Sequence, residues 1–192
     1  MTKSNKNDDI SLNNSYNEPA IKKEGVNPFN HPAVKKWHEQ LLTTWYSDAP
    51  VALLLPCTAK KPYGQSPTHK IAYAIANRGH VQVYSVSEPM LLVPREFETQ
   101  YPFNNYDYPP KLMTKEEREE FIYLLSEAIK KVAEMHKVII AVLPSHHRSI
   151  FQDASKAAHI KLSMFSKEPA NEADPALDET IKILLLPYGR LA

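Results

Sequence analysis

One fourteen-residue stretch, Pro56-Cys57-Thr58-Ala59-Lys60-Lys61-Pro62-Tyr63-Gly64-Gln65-Ser66-Pro67-Thr68-His69, gathers a thiol, two amines, a phenol, hydroxyls and an imidazole. A lone cysteine is ordinarily a small buried hydrophobe. Cys57 is set apart by Lys60, Lys61 and His69, which lie within reach of its loop. Neighbouring cations favour a thiolate, the form that attacks electrophiles and binds metals. His69 can equally be read as an ordinary residue at the start of a helix. Three further clusters carry titratable groups: Arg95-Glu96 with the later Tyr106-Asp107, then Ser145-His146-His147-Arg148, and finally Tyr188-Gly189-Arg190. Arg95-Glu96 also fits an exposed ion pair of little energetic weight. Adjacent histidines point in different directions in a helix or a strand, so His146-His147 is read as structural and no metal site is expected. Tyr101, Phe103, Tyr106 and Tyr108 could stack on a nucleobase or anchor their own loop.

These residues gain meaning from the elements before them. Val51–Leu55 is a continuous apolar run, as in a strand buried on both faces, and it stops at Pro56. Val138–Leu143 reads the same way, Val81–Val86 is rich in Val and Tyr and reads as another strand, and Ile181–Leu186 is a fourth. Between them lie helical patterns. Pro32 opens one with Val34, Trp37, His38, Leu41 and Trp45 on its inner face, ending by Asp48-Ala49-Pro50. His69–Asn77 is a short Ala-rich helix, and Ser149–Ala158 another. Thr114-Lys115-Glu116-Glu117 is a capping box, opening the longest helix, to about His136. Strands alternating with helices predict a mostly parallel α/β sheet covered on both faces. Such sheets bind ligands beyond the carboxyl ends of their strands, where the clusters above fall. Ser87–Met113 is expected to be a long irregular section, of the kind that is often functional.

Composition narrows the field. The 192 residues carry 43% hydrophobic and 23% charged side chains with a net charge of +1. That suffices for one core domain and excludes global disorder or a strongly basic nucleic-acid binder. Only 4 glycines are present, and none sits in a dinucleotide fingerprint or a Walker loop. A single cysteine rules out an internal disulfide framework and a Cys-rich zinc module. Residues 1–27 are polar and aperiodic, expected to be a disordered or loosely attached arm, with residues 28–192 as the core domain. No apolar run is long enough to span a membrane and no signal core is present, so a soluble cytoplasmic protein is expected.

Pro56, Cys57, Lys61, Pro62, Tyr63, Ser66 and His69 fill every position of the pattern Pro-Cys-x3-Lys-Pro-Tyr-x2-Ser-x2-His. This stretch resembles the core domain of archaeosine synthase, a relative of archaeal tRNA-guanine transglycosylase. Val93-Pro94-Arg95-Glu96-Phe97-Glu98, Tyr101-Pro102 and Tyr106-Asp107 are similar to the family's second block. The resemblance is good over about residues 50–145. It departs where Tyr108-Pro109-Pro110-Lys111-Leu112 replaces a segment containing Pro-Val-Thr-Gly and a Trp, and at Thr58, where Ser is usual.

The resemblance implies a fold like uracil-DNA glycosylase, three-layer α/β/α with a short parallel sheet. It implies action on tRNA carrying 7-cyano-7-deazaguanine (preQ0), with lysine added to the nitrile and no cofactor. In some lineages a radical-SAM partner acts next. Full-length members also carry a tRNA-holding PUA domain, which here implies either a partner chain that supplies tRNA binding or a changed activity. On that reading Cys57 is the nucleophile, Lys61 or His69 activates it, and His69 shuttles protons. Pro56, Pro62, Tyr63, Ser66, Arg95, Glu96 and Asp107 surround the base, with Glu96 or Asp107 accepting from its guanine-like N–H groups. Two other readings stay open. One is a non-catalytic nucleobase-binding subunit. The other is a different nucleobase enzyme such as a glycosylase, with Asp107 as its carboxylate.

Overall fold

The computed structural model describes residues 18–23 and 26–160, together with the backbone of the short strand Ser163–Phe165. The fourth apolar run, Ile181–Leu186, and Tyr188-Gly189-Arg190 lie outside the described residues, as do residues 1–17 of the arm.

In chain order the elements are β1 (Ile21–Lys22), α1 (Pro32–Thr43), β2 (Val51–Pro56), α2 (Pro67–Ala76), β3 (Val81–Ser87), β4 (Leu91–Pro94), β5 (Tyr106–Asp107), α3 (Lys115–Met135), β6 (Val138–Val142), α4 (Ser145–Ala157) and β7 (Ser163–Phe165). Five strands form the main sheet in the order β4-β3-β2-β6-β7. All neighbours are parallel except β4, which runs back along β3 with Ser87 opposite Leu91 and Tyr84 opposite Pro94. β1 and β5 pair separately, Ile21 opposite Tyr106.

Strand alternation divides the core. Val51, Leu53 and Leu55 face one way and meet Ala72 and Ala76 of α2. Ala52 and Leu54 face the other way, into a larger cluster with Trp37 and Leu41 of α1, Phe121, Leu125 and Val132 of α3, and Phe151 of α4. The result is a three-layer α/β/α domain with β2 buried on both faces, which is why its sequence reads apolar throughout. The capping box at α3 forms as its residues require: Thr114 Oγ1 accepts from the Glu117 amide (3.2 Å) and Glu117 Oε2 from the Thr114 amide (3.0 Å).

Two expectations change. The section after Ser87 is not irregular throughout. It reverses over Glu88-Pro89-Met90 and returns as β4, Leu91 adopting φ 64° at the reversal. A non-glycine residue there costs on the order of 1 kcal/mol or more, a strain that the surrounding packing must impose. The helix expected from Ser149 begins at Ser145, so His146 and His147 occupy its first turn.

Candidate active site

β3, β2 and β6 lie side by side and point the same way, so the residues after them converge. Glu88 follows β3, Cys57 follows β2, and His147 follows β6 in the first turn of α4. The Cys57 amide donates to Val86 O (2.9 Å), continuing the ladder one residue beyond β2 and holding the thiol in place.

Cys57 Sγ lies 3.6 Å from His147 Nε2, and the same nitrogen is 3.5 Å from Glu88 Oε2. The second carboxylate oxygen, Glu88 Oε1, is 3.0 Å from His146 Nε2. Glu88 and His147 are buried, Cys57 is half-buried and His146 is exposed. Burial by itself would raise the Glu88 pKa. Hydrogen bonds from His146 and His147, and the charge of His147, outweigh it and bring the carboxyl down to about 2. Burial would likewise strip the proton from His147, but Cys57 and then Glu88 outweigh it and raise the imidazole to about 10. The buried pair is therefore a carboxylate against an imidazolium, with the thiol on the imidazolium's other side.

Helix α1 fixes the Glu88 turn. His38 Nε2 meets Pro89 O (2.8 Å), and Trp37 Nε1 donates to Met90 O (2.9 Å). Beneath it, Tyr63 and Tyr106 share a hydroxyl contact of 2.5 Å, and Tyr106 hydrogen-bonds Ser87. Burial pushes both phenols well above their ordinary range, so they serve as neutral donors. Lys61 Nζ sits 4.0 Å from the centre of the Tyr106 ring, a cation–π contact. Burial lowers the Lys61 pKa, and the charges of Cys57 and Asp107 partly restore it. Cys57, Lys61, Tyr63, Tyr106 and Asp107 thus share one neighbourhood. Pro56 ends β2 opposite Val86, and Pro62 leads into the turn that carries Tyr63.

Other expected residues go elsewhere. His69 is fully buried, with Nδ1 2.8 Å from Ser66 Oγ and Nε2 3.1 Å from Ser85 Oγ. Burial takes its pKa down to about 4, and its ring stacks on Tyr63. Ser66 caps α2, its Oγ also accepting from the His69 amide (3.2 Å). Both ring nitrogens are thus engaged in bracing α2 against β3. Arg95 and Glu96 follow the antiparallel strand β4, which carries them to the amino-terminal edge of the sheet. There Arg95 lies over the Tyr73 ring (4.9 Å) and Glu96 accepts from Gln82 Nε2 (2.9 Å). With Ser47, Asp48 and Gly79 they line a separate cleft of about 330 Å³. The carboxylate that reaches inward from this segment is Glu98, which accepts from the Gly64 amide (2.9 Å) and the Tyr73 hydroxyl (2.8 Å). A Cβ at Gly64 would meet Glu98 Oε1 at 2.6 Å, so a larger residue there would displace the Glu98 carboxylate.

Sequence reasoning missed Glu88 and underrated His147. Adjacent histidines do diverge, but Glu88 presents one oxygen to each. One signal was available: His146-His147 directly follows a buried strand, as Cys57 does. Cys57, Glu88 and His147 each offer one ligand atom, all within 4.8 Å of one another, so these are the described residues that could hold a metal ion.

The molecule is thus a three-layer α/β/α domain with a thiol, an imidazole and a carboxylate brought together at the carboxyl edge of its sheet. The chain belongs to the family described as a domain of unknown function, DUF5591, whose model matches residues 34–184, and it is an archaeosine synthase-related domain. It is 35% identical over 94 residues to archaeosine synthase subunit alpha of Thermoplasma acidophilum, covering 47% of this chain and 18% of that protein. With archaeosine synthase of Methanocaldococcus jannaschii it shares 33% identity over 131 residues, 64% of this chain and 22% of the other. The chain therefore spans less than a quarter of the length of these curated relatives. Its fold also resembles a solved structure titled "Crystal structure of AF0587, a protein of unknown function", with TM-score 0.54, 22% identity, 78% of this chain and 49% of the other covered. Among the described residues no helix is long and apolar enough to cross a membrane.

Proposed function

We propose that this domain modifies tRNA on the route to archaeosine, joining an amine, lysine in the first instance, to the nitrile carbon of 7-cyano-7-deazaguanine. The observation that carries the reading is the contact of Cys57 Sγ with His147 Nε2 at the convergence of three strand ends. Support comes also from the archaeosine synthase names of the relatives.

The Cys57–His147 pair reacts in its thiolate–imidazolium form. The Cys57 sulfur forms a bond to the nitrile carbon as one carbon–nitrogen π bond opens, and the nitrogen takes the proton of His147, giving a thioimidate. The amine then adds to the same carbon. The carbon–sulfur bond breaks, the amine's proton returns to His147, and an amidine remains with Cys57 restored. Glu88 keeps His147 charged for the first step and orients it throughout. Here the proton carrier is His147, while His69 braces the turn bearing Tyr63. Lys61 adds positive charge beside the sulfur, and Asp107, exposed at the same mouth, accepts from the base. Binding folded tRNA is the work of a partner chain, since the net charge of +1 supplies little phosphate attraction.

The test is mass spectrometry of nucleosides from preQ0-containing tRNA incubated with the chain and free lysine, with and without chains carrying the relatives' remaining domains. The expected result is a lysine adduct in the presence of a partner and at least a thousandfold loss in Cys57→Ser, with folding retained. An adduct formed equally well by Cys57→Ser overturns the covalent role. No adduct under any condition overturns the reaction. Covalent-free tRNA binding by Cys57→Ala would then favour a nucleobase-binding subunit.

A further inference from the structure

We propose that Cys57, His147 and Glu88 also form a site for a borderline-soft divalent cation, zinc being the best match, and that the ion competes with substrate for the Cys57 sulfur. The competition rests on the covalent reading above; the metal site itself does not.

Geometry is the first support. A tetrahedral zinc ion about 2.3 Å from a thiolate sulfur and about 2.0 Å from an imidazole nitrogen sets those two atoms roughly 3.5 Å apart. A carboxylate oxygen in the same shell lies about 3.4 Å from that nitrogen. The observed separations are 3.6 Å for Cys57 Sγ to His147 Nε2 and 3.5 Å for His147 Nε2 to Glu88 Oε2. The third separation, between the Cys57 sulfur and the Glu88 carboxylate, is within 4.8 Å, so an ion can enter among the three in place of the shared proton.

Rigidity is the second. Cys57 and Glu88 directly follow the adjacent strands β2 and β3, and His147 sits in the first turn of α4 after β6, so the sheet and that helix set the arrangement. The third is an outer shell: His146 Nε2 holds the other oxygen of Glu88 at 3.0 Å, and the backbone carbonyls flanking that turn are tied to His38 and Trp37. Ligating carboxylates are normally braced in this way.

The donor set also defines the kind of ion. Thiolate and imidazole select zinc over magnesium or calcium, which prefer all-oxygen shells. Three protein ligands leave a fourth position for water or an added ligand. His147 Nδ1 is buried with no hydrogen-bond partner among the described residues.

The experiment is a cobalt titration of the full, reduced, metal-stripped chain. The expected result is a saturable near-ultraviolet thiolate-to-cobalt band at one ion per chain, removed by equimolar zinc. The band should vanish in Cys57→Ser and require at least tenfold more cobalt in Glu88→Gln, circular dichroism verifying the fold of each variant. In parallel, saturating zinc should slow iodoacetamide alkylation of Cys57 at least tenfold, and a chelator should restore it. Absence of a saturable band, its persistence in Cys57→Ser, or unprotected alkylation overturns the site. None of these readouts uses tRNA, so a failed lysine addition leaves the site standing. If the adduct does form, undiminished turnover by the zinc-saturated chain overturns the competition alone.

Discussion

Glu88 is the residue on which the site turns. Its side chain is 1% exposed, yet it is held ionised by two histidines, one for each oxygen. An unpaired carboxylate at such a depth would be costly, so the pair must be considered together. His147 is the group it acts on. With the carboxylate in place, the imidazole keeps its proton up to about pH 10. Glu88→Gln removes one of the two partners that outweigh burial and leaves the other, Cys57, in place. The prediction is that His147 is protonated at pH 8 in the native chain and gives up its proton at a lower pH in Glu88→Gln, read from ring chemical shifts by NMR. A neutral His147 at pH 8 in the native chain would remove it as the proton donor.

His69 titrates in the opposite sense, and stability records it. Its folded-state pKa of about 4 lies below the ordinary 6.5, so the unfolded chain binds the proton more readily. Its contribution is therefore complete above pH 6.5 and is lost as the pH falls toward 4. A difference of about 2.5 pH units corresponds to roughly 3 kcal/mol. Urea unfolding at pH 7 and at pH 4.5 should show a steep loss in the native chain and a shallower one in His69→Gln. Equal slopes would mean that His69 is not the group responsible. Glu88, held down to about 2, loses its contribution only at still lower pH.

At the level of elements, the site depends on where helices begin and how strands turn. α4 begins at Ser145, four residues before its apolar periodicity starts, and this places both histidines on Glu88. The first turn of a helix is not chosen by hydrophobic spacing, because few of its residues reach the core. α3 is the contrary case. Its capping box is local chemistry and was legible as such. The Glu117 carboxylate also receives the Tyr108 hydroxyl (2.8 Å) and pairs with Lys23, fastening β1 and β5 to the helix start. Thr114→Ala should lower stability by about 1 kcal/mol, measured as a shift in the urea midpoint with an unchanged slope. A change below about 0.3 kcal/mol would show that Glu117 holds this end without the cap.

Across the whole molecule, α1 and α3 form the layer that supports the Glu88 turn from behind. Phe121 is fully buried at its centre, 5.8 Å from the Phe29 ring, in the same cluster as Trp37 and Met90. Phe121→Ala leaves a cavity there and should cost about 3–5 kcal/mol, a large part of the stability of a domain this size. Thermal unfolding checks it: a fall of only a degree or two would mean that the layer relaxes to fill the space.

The sequence by itself determined the kind of domain and the position of the thiol. Val51–Leu55 can lie only where both faces are covered, and Cys57 must follow it, so a cysteine at the carboxyl edge of an α/β sheet was readable from one segment. Tyr63 and Lys61 came with it, because they share its loop. The partners of the thiol were decided by the tertiary structure. β4 runs antiparallel, which sends Arg95 and Glu96 to the far edge while the reversal before it leaves Glu88 beside Cys57. His147 arrives from ninety residues away because β6 pairs with β2. Strand order and direction depend on how whole faces are covered, a property of the packed layers and not of any one segment. A contact between three strand ends therefore becomes visible only once the sheet is assembled.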